Sequence, residues 1–318
     1  MAPLRDSEPR GSAVLYPWID ALPRACRGMR VGDDMDPGAL AFILKVAVAS
    51  LAGGVIGSMS GLGGGIVIVP VLTVFLGMSI QDAIGASIVS VIATSSGAGS
   101  VYVRDRITNI RIAMFLEIAT ATGAIVGAAA LARYVSAQAL SILFGVTLLL
   151  SLIPILAKLG EELPQGVRND RLAAALRLNS SYYDQHLGRE VRYEVTGIPA
   201  ALGFMFSAGI ISGLLGIGAG VLKVLAHEIA MKVPSKVSTA TSNFMIGVTA
   251  ATAAGVYLRR GLVLPYVVVP VAASVLLGAF VGTKLMEHMS NARVRQVFAL
   301  ALAVIGLEML LRGLGVPL

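Results

Sequence analysis

Ten apolar segments alternate with short polar stretches along most of this sequence, and they constrain its fold more than any other feature. Many are close to the roughly 20 residues that cross the hydrocarbon core of a bilayer as a helix. Lipid offers no water to satisfy backbone N–H and C=O groups, so such segments must form helices. The sequence therefore predicts an all-α polytopic membrane protein. The segments lie at 40–58, 62–77, 83–103, 110–132, 138–157, 198–213, 217–231, 238–258, 262–283 and 296–312.

Charge is scarce and is placed between the apolar segments. Only 14% of the residues are charged, against about 25% in a typical soluble domain. The net charge of +7 does not indicate nucleic acid, because the Lys and Arg residues cluster in loops, as they do when they orient a membrane protein. The single cysteine, Cys26, excludes a disulfide within the chain and an all-cysteine metal site.

The second five segments repeat the first five. A shift of 155 residues aligns the chain on itself without a gap from Gly54 to Gly127. A Gly-x-Gly-x-Gly pattern begins at Gly61 in the first half and at Gly216 in the second, and Val-Tyr-x-Arg follows it at a fixed distance in both. This shared pattern predicts internal duplication, with two homologous repeats.

Each half opens with a glycine-rich interruption of its first apolar stretch. Residues 40–77 as one helix would extend about 57 Å, which is too long for a single straight crossing. The run Ser60–Gly65 contains four glycines, and the second half repeats the interruption at Gly216–Gly220. Because such runs are poor helix interiors, we predict a helix, a break and a shorter helix at the start of each half.

The positions of Lys and Arg predict a topology. Five precede residue 41, three lie in 104–111, six in 158–192 and two at 259–260. We call each helix, break and shorter helix a broken pair. If each broken pair makes one net crossing, these clusters fall on the same side of the membrane. That arrangement predicts eight crossings, about four in each repeat, with both termini in the cytoplasm. If both pieces of each pair span the membrane, each half has five crossings and the halves are inverted.

Four parts follow from this organisation. Residues 1–39 are expected to form a cytoplasmic tail, because they lack the features of a cleaved signal peptide. Two transmembrane repeats occupy 40–158 and 197–318. Between them, 159–196 is predicted to be a cytoplasmic linker, in which two short segments with strand-like residues indicate a β-hairpin.

The two breaks are the strongest functional signal. A helix that restarts inside the membrane has unpaired N–H groups and a positive dipole end, and both favour anions. Transporters use paired broken helices in this way near the midplane. The alternative is that the glycines only let helices pack closely, and that nearby hydroxyls and amides only bond neighbouring helices. The predicted substrate-binding residues are Gly61, Gly63, Gly64, Gly65, Ser87, Gly216, Gly218, Gly220, Lys223, Thr241, Ser242 and Asn243.

Charged residues inside apolar segments are expensive and mark candidate functional positions. Lys45 is expected to extend to the interface. Lys223 can balance the charge of an anion or extend to the interface in the same way. Glu117 can carry a proton or pair with a buried base, and it can equally lie at the headgroup boundary. His227 and Glu228 are expected at the interface.

No enzyme signature accompanies these features. The sequence has no Walker A motif, no metal-ligand spacing and no Gly-x-Ser-x-Gly elbow. We therefore expect no enzymatic activity, no cofactor and no metal. Transport would be driven by an ion gradient, the membrane potential or the substrate's own gradient.

The motifs resemble those of one known family. Gly61–Pro70 with Ala86-Ser87, and Gly213–Gly220 with Ala240–Phe244, resemble the two halves of the TauE/SafE family, and the resemblance covers about 40–312. It implies a multi-pass permease of the bacterial inner membrane, linked in some members to export of sulfite, sulfoacetate or related organosulfur anions. Ala219 stands where the first break has Gly64, so the two breaks are not equivalent.

The expected function is that of a secondary transporter that moves a small anion, sulfite or an organosulfonate, outward across the inner membrane. The two halves would rock around a central site. An anion channel and a membrane scaffold without transport are the alternatives. The expected partners are the anionic substrate and the lipid bilayer, with a homodimer as an option and no nucleic acid.

Overall fold

The computed structural model describes residues 37–60, 64–153, 167, 170–184, 188–288 and 291–315. Gly61 and Gly63, both predicted to belong to the first break, lie outside the described residues. The chain divides into two compact units, Met1–Leu44 and Lys45–Leu318. The first is described only over residues 37–44, which are helical. The second contains all the other described elements.

Helices make up nearly all of the described structure. In the first half, α1 spans Pro37–Ser60, α2 Gly65–Pro70, α3 Ile80–Arg104, α4 Ile110–Tyr134 and α5 Ala137–Leu150. A short helix α6 (Arg171–Ala175) and strands β1 (Ser180–Asp184) and β2 (Arg189–Tyr193) follow. In the second half, α7 spans Ile198–Leu215, α8 Gly220–Leu225, α9 Ser235–Arg259, α10 Pro265–His288 and α11 Asn291–Gly313. One π-helical turn extends α2 through Val71–Phe75, and another extends α8 through Ala226–Ala230.

The surface of these helices is the reverse of that of a soluble protein. Within the described part of the chain, α3, α4 and α7 are long and apolar enough to cross a membrane. Large apolar side chains such as Ile118 on α4 and Phe204 on α7 are more than half exposed, whereas Glu117 and Lys223 are buried. Exposed apolar and buried charged side chains are what lipid requires. The chain is therefore an all-α membrane protein, as the sequence predicts.

Polar residues fix where the long helices begin. Ser79, Asn109 and Ser136 each accept, through a side-chain oxygen, the backbone N–H three residues further along. These bonds satisfy donors that the first turns of α3, α4 and α5 leave unpaired. The polar residues before α3, α4 and α5 thus start these three helices at defined positions.

Strands β1 and β2 pair antiparallel in the linker, with Tyr182 opposite Val191. Asn109, just before α4, holds this hairpin in place. Its Nδ2 donates to the hydroxyl of Tyr193 and to the carbonyl of Leu178, both at 2.8 Å. Burial raises the pKa of Tyr193, so its phenol stays neutral. The linker is therefore fastened where α4 begins, and we call this end of the helices the linker end.

Helices α3 and α9 lie side by side and run in opposite directions. Ser95 of α3 donates a hydrogen bond to the carbonyl oxygen of Asn243 in α9. Gly85, earlier in α3, packs against the carbonyl of Leu262, which follows α9. As the chain advances along α3, its contacts on α9 therefore come earlier in the sequence. The start of α9 also lies at the linker end, because Thr241 accepts the backbone N–H of Asn109 at 3.1 Å.

The broken pair α7–α8 begins and ends at the linker end. The N–H of Thr196 donates to the carbonyl of Met231 at 3.3 Å. Gly197 packs against the carbonyl of Ala230. The residues before α7 thus touch those after the π-helical turn that follows α8. A pair that returns to its starting end makes an even number of crossings.

The predicted eight-crossing topology is therefore wrong. It gave each broken pair one net crossing, and it required α3 and α9, the third helices of two parallel repeats, to run in the same direction. Instead the α7–α8 pair returns to the linker end, and α3 and α9 are antiparallel. Apolar segment lengths could not show this, because they do not tell which end a short helix returns to.

Helix α11 ends away from the linker end. It packs antiparallel to α5: a Cβ on Gly145 would lie 2.7 Å from the carbonyl oxygen of Gly306, and one on Gly313 would lie 2.8 Å from the backbone nitrogen of Ile142. Helix α4 leaves the linker end and a two-residue loop joins it to α5, so α5 starts at the opposite end. The linker and the end of α11 therefore lie on opposite sides, and they cannot both be cytoplasmic as the sequence led us to expect.

Elements of the two halves recur at one spacing. Helices α2 and α8, and likewise α3 and α9, begin 155 residues apart. The contacts between helices follow the same shift. Gly209 of α7 packs against the carbonyl of Thr120 in α4, and Gly54 of α1 packs against the carbonyl of Val275 in α10. Each half therefore packs its first helix against the fourth helix of the other half.

Candidate functional site

The two breaks meet at Ser87 of α3. Its hydroxyl donates to the carbonyl of Gly216 at 2.9 Å and lies 3.3 Å from that of Gly65. Ser242 of α9 donates to the carbonyl of Gly220 at 3.0 Å. The structure thus brings Ser87, Ser242 and glycines of both breaks together. The two hydroxyls fasten the breaks to α3 and α9.

The second break is a run of left-handed backbone. Gly216, Gly218 and Ala219 have φ angles of 64°, 72° and 47°. Glycine adopts such angles readily, whereas alanine loses about 1–2 kcal/mol. Gly64, the counterpart of Ala219, is right-handed with φ of −62°. The two breaks therefore differ in backbone conformation as well as in sequence.

Protein fills the side of Gly65 and Gly218 where a side chain would point. A Cβ on Gly65 would lie 2.6 Å from the hydroxyl of Ser87, and one on Gly218 would lie 2.5 Å from the side chain of Ile246. At these positions the absence of a side chain lets α3 and α9 approach the breaks closely. An anion-binding role for the breaks rests on the first N–H groups of α2 and α8, which have no acceptor within their own helices.

Thr241 and Asn243 make contacts outside the breaks. Thr241 accepts the backbone N–H of Asn109, as described above. Asn243 donates from Nδ2 to the carbonyl of Thr239 at 3.1 Å, and its own carbonyl accepts the Ser95 hydroxyl. These bonds join α9 to α3 and to the loop before α4, and none of them involves a break residue.

A charged cluster lies next to the second break. Lys223 of α8 is completely buried, and its Nζ is 4.0 Å from Oε2 of Glu117 on α4. Thr249 of α9 bridges the pair: Lys223 donates to its hydroxyl at 2.5 Å, and the hydroxyl donates to Oε1 of Glu117 at 2.6 Å. Thr120 donates to Oε2 of the same carboxylate at 3.2 Å.

Burial decides between the alternatives for these two charged residues. Lys223 does not extend to the interface, and Glu117 does not lie at the headgroup boundary, because each pairs with the other inside the protein. A buried ion pair persists only when further hydrogen bonds satisfy it, and the two threonines supply them. Sequence reasoning could not pair the two residues, because they belong to different halves of the chain.

His227 is a buried polar residue that we expected at the interface, and that expectation is wrong. Its side chain is fully buried and neither ring nitrogen makes a hydrogen bond. The ammonium of Lys223 and the backbone of Ser238 lie near it. Residues four apart share one face of a helix. The spacing from Lys223 is therefore the sequence signal that identifies His227 as part of the cluster.

Among the described residues, only the second of the two breaks has this cluster beside it. The positions equivalent to Lys223, His227 and Glu117 are Ile68, Leu72 and Ala272. Ile68 and Leu72 are buried and apolar. Thr94, the counterpart of Thr249, instead accepts the backbone N–H of Gly64 at 3.5 Å. The residues around the two breaks therefore differ, and so do Ala219 and Gly64 within them.

An open groove of about 720 Å³ lies between α3 and α9. Ser95, Ser96 and Ser100 contribute hydroxyls to it, and Arg104 lies at the end near the linker. Neither Lys223 nor Glu117 is among the described residues that line it. The charged pair is therefore closed off from this groove in the present conformation.

A broken helix pair whose buried lysine pairs with a glutamate on a neighbouring helix indicates a class of protein. Intramembrane charges of this kind mark ion and substrate pathways, and discontinuous helices form the central sites of secondary transporters. The fold and the site are those of a membrane transporter. The sequence profile described as Sulfite exporter TauE/SafE matches residues 46–309. The chain belongs to this family, as its motifs predict.

Two known proteins of Bacillus subtilis (strain 168) align along most of the chain. The Probable membrane transporter protein YunE is 24% identical over 288 residues, which cover 86% of this chain and 99% of that protein. The Probable membrane transporter protein YdhB is 27% identical over 270 residues, which cover 84% of this chain and 100% of that protein. No solved structure matches the chain. Family and relatives agree that the chain is a membrane transporter.

Proposed function

We propose that this chain is a secondary transporter that moves a small anion, sulfite or an organosulfonate, out of the cell across the bacterial inner membrane. The observation that carries the proposal is Lys223, a lysine with no exposed surface beside a break in the membrane helices. A protein keeps a buried ammonium only when an opposite charge pairs with it. A small anion is the ligand that such a charge selects, and the family's description as sulfite exporters supports this substrate class.

The proposed site lies where the two breaks meet. The first N–H groups of α2 and α8 would bind the oxygens of the anion, and Lys223 would balance its charge. Ser87 and Ser242 would position these N–H groups by holding the breaks. Thr241 and Asn243 would act from further away, because Thr241 bonds the loop before α4 and the backbone carbonyl of Asn243 bonds Ser95 of α3.

We also propose that the halves are inverted repeats of five segments each. The common spacing of 155 residues, the exchanged contacts of Gly54 and Gly209, and the antiparallel α3 and α9 support this arrangement. Inverted halves that rock around a central site give alternating access to the two sides of the membrane.

The linker end is proposed to face the cytoplasm, because Lys and Arg are enriched in cytoplasmic loops. Among the side chains that the structure describes in loops and at helix ends, three basic residues, Arg259, Arg260 and Arg312, lie at the opposite end. Nine lie at the linker end: Arg104, Arg106, Arg111, Arg171, Arg177, Arg189, Arg192, Lys232 and Lys236. The end of α11 would then face the outside.

Cysteine labelling tests this orientation. In a Cys26→Ser background, Arg189→Cys in β2 should react with a membrane-impermeant maleimide only after the cells are permeabilised. Arg312→Cys near the end of α11 should react in intact cells, because its side chain is exposed at the opposite end. The reverse pattern would contradict the proposed orientation while leaving the fold untouched.

Export requires no ATP in this scheme. A negative charge that leaves a cell with a negative interior gains about 2.3 kcal/mol per 100 mV. For an anion that crosses alone, the membrane potential is therefore a sufficient driving force, and the gradient of the substrate is sufficient whether or not a proton crosses with it.

Flux measurements in proteoliposomes test the function, with radiolabelled sulfite, sulfate, sulfoacetate and taurine. We expect saturable flux and counterflow of sulfite or a sulfonate. Thr249→Val should lower the flux about 10- to 100-fold, because it leaves a buried ion pair without its bridging hydroxyl. Thr252→Val is the matched control, since its exposed hydroxyl bonds only within α9, and it should leave the flux unchanged.

The same assay separates the alternatives. Flux that neither saturates nor shows counterflow would indicate a channel. Flux of none of the four solutes from well-folded protein would remove the sulfur-anion proposal and favour a different substrate or a scaffold.

A further inference from the structure

We infer that Glu117 is the internal competitor of the transported anion. The anion displaces the Glu117 carboxylate from Lys223, and the released carboxylate takes up one proton. The inference rests on the proposed function and deepens it, because it couples each anion to one proton.

The contacts of Glu117 are those that a small oxyanion would make at the same place. One carboxylate oxygen faces the Lys223 ammonium at 4.0 Å, and the other accepts the Thr249 hydroxyl at 2.6 Å. A carboxylate, a sulfonate and a sulfite all present oxygens that share negative charge. In the present structure Lys223 and Thr249 therefore already hold an anion, which is one of the protein's own side chains.

Few other titratable groups face this pair. Lys223 lies in α8, and His227, in the turn that follows, lies near Lys223. Helix α7, which packs against α4, contains no titratable residue between Ile198 and Leu215. On α9, Tyr257 donates to the carbonyl of Gly213, and Lys236 and Arg259 lie at the two ends of the helix. Glu117 is therefore the one carboxylate that the described residues place beside Lys223.

The charge balance of the site requires that a proton binds together with the anion. Without substrate, the ammonium and the carboxylate sum to zero. When a monovalent anion binds Lys223 and displaces Glu117, one unpaired negative charge is left in a buried, apolar place, which is strongly disfavoured. A proton from the aqueous phase that binds a Glu117 oxygen removes this charge. The loaded site then contains the ammonium, the anion and a neutral carboxylic acid, and its sum is again zero.

Two measurable consequences follow for the wild-type protein. Because neither the empty nor the loaded site has a net charge, flux of a monovalent anion is insensitive to the membrane potential. Because anion binding takes up one proton, the apparent affinity for the anion falls about tenfold for each unit of rising pH. This holds over the pH range in which Glu117 is ionised in the empty site and protonated in the loaded site.

Proteoliposomes with a potential set by potassium and valinomycin test both consequences. The probes are methanesulfonate, which keeps one negative charge near neutral pH, and sulfite. We expect the wild-type flux of methanesulfonate to be independent of the membrane potential. A pH-sensitive dye should show that one proton crosses with each anion. Glu117→Gln should transport without proton movement, and its flux should respond to the potential. Glu308→Gln, which removes a carboxylate paired with Arg312 at the surface at 3.4 Å, should behave as wild type.

Each other outcome overturns the inference. Wild-type flux that carries a net charge and no proton contradicts the inference. This measurement uses the wild-type protein alone, so it remains decisive even if the Glu117→Gln protein folds poorly. Proton movement that survives in Glu117→Gln but is lost in His227→Asn would place the proton on the histidine instead. Absence of flux of both anions from folded wild-type protein overturns the proposed substrate class, and this inference with it.

Discussion

Replacement of Lys223 by methionine is expected to lower the free energy of unfolding by about 3–5 kcal/mol and to abolish transport. The substitution keeps the length of the side chain but removes its charge. It therefore leaves the buried Glu117 carboxylate without its ammonium. Breaking one side of a buried pair is far more damaging than removing both charges. Thermal unfolding in detergent and flux in proteoliposomes measure the two effects.

A double variant separates stability from transport. Lys223→Met with Glu117→Leu should recover most of the lost stability, because an apolar pair of similar volume replaces an ion pair. It should remain inactive, because the ammonium that binds the anion is gone. Lys45→Met is the matched control, since Lys45 is exposed on α1, and it should change neither property. Transport by the double variant would show that Lys223 does not bind the substrate.

The second large effect is expected at the contact between α4 and α7. Gly209→Ala should destabilise the protein by at least about 1–3 kcal/mol. The new Cβ would overlap the carbonyl oxygen of Thr120 and lie 3.0 Å from its carbonyl carbon. Because these are backbone atoms of a packed helix, the two helices must separate to make room.

Gly203→Ala on the same helix is the matched control. No atom lies within 4 Å of the position that its Cβ would occupy. Alanine is favoured over glycine in a helix by about 0.5–1 kcal/mol, so this variant should be as stable as wild type or more stable. Equal unfolding temperatures for the two variants would argue against the close approach of α4 and α7.

The sequence identifies the helices well, because membrane spans are defined by length and hydropathy alone. The segments at 83–103 and 110–132 become α3 at Ile80–Arg104 and α4 at Ile110–Tyr134. The break predicted at Gly216–Gly220 falls between Leu215 and Gly220, where the backbone is left-handed. These features depend on local chemistry, which a sequence displays directly.

What the sequence could not supply is relative direction and long-range pairing. Hydropathy is the same whether a short helix continues across the membrane or returns, so the contact of Thr196 with Met231 could not be foreseen. Charge counting then gave the wrong topology, because it depended on the assumed direction. The cluster of Glu117, Lys223 and Thr249 joins three helices, and only the fold shows that these residues meet.

The presence of the charged cluster beside only one of the two breaks has a kinetic consequence for the proposed carrier. In a carrier built from two identical inverted halves, a two-fold rotation would relate the inward-open and outward-open forms, which would have equal free energies. That equality is lost because the repeat-equivalent positions of Lys223, His227 and Glu117 hold the apolar residues Ile68, Leu72 and Ala272. If the halves are inverted repeats as proposed, the two faces of the membrane would present different half-saturation concentrations to the same solute. The unloaded protein would then populate its inward-open and outward-open forms unequally.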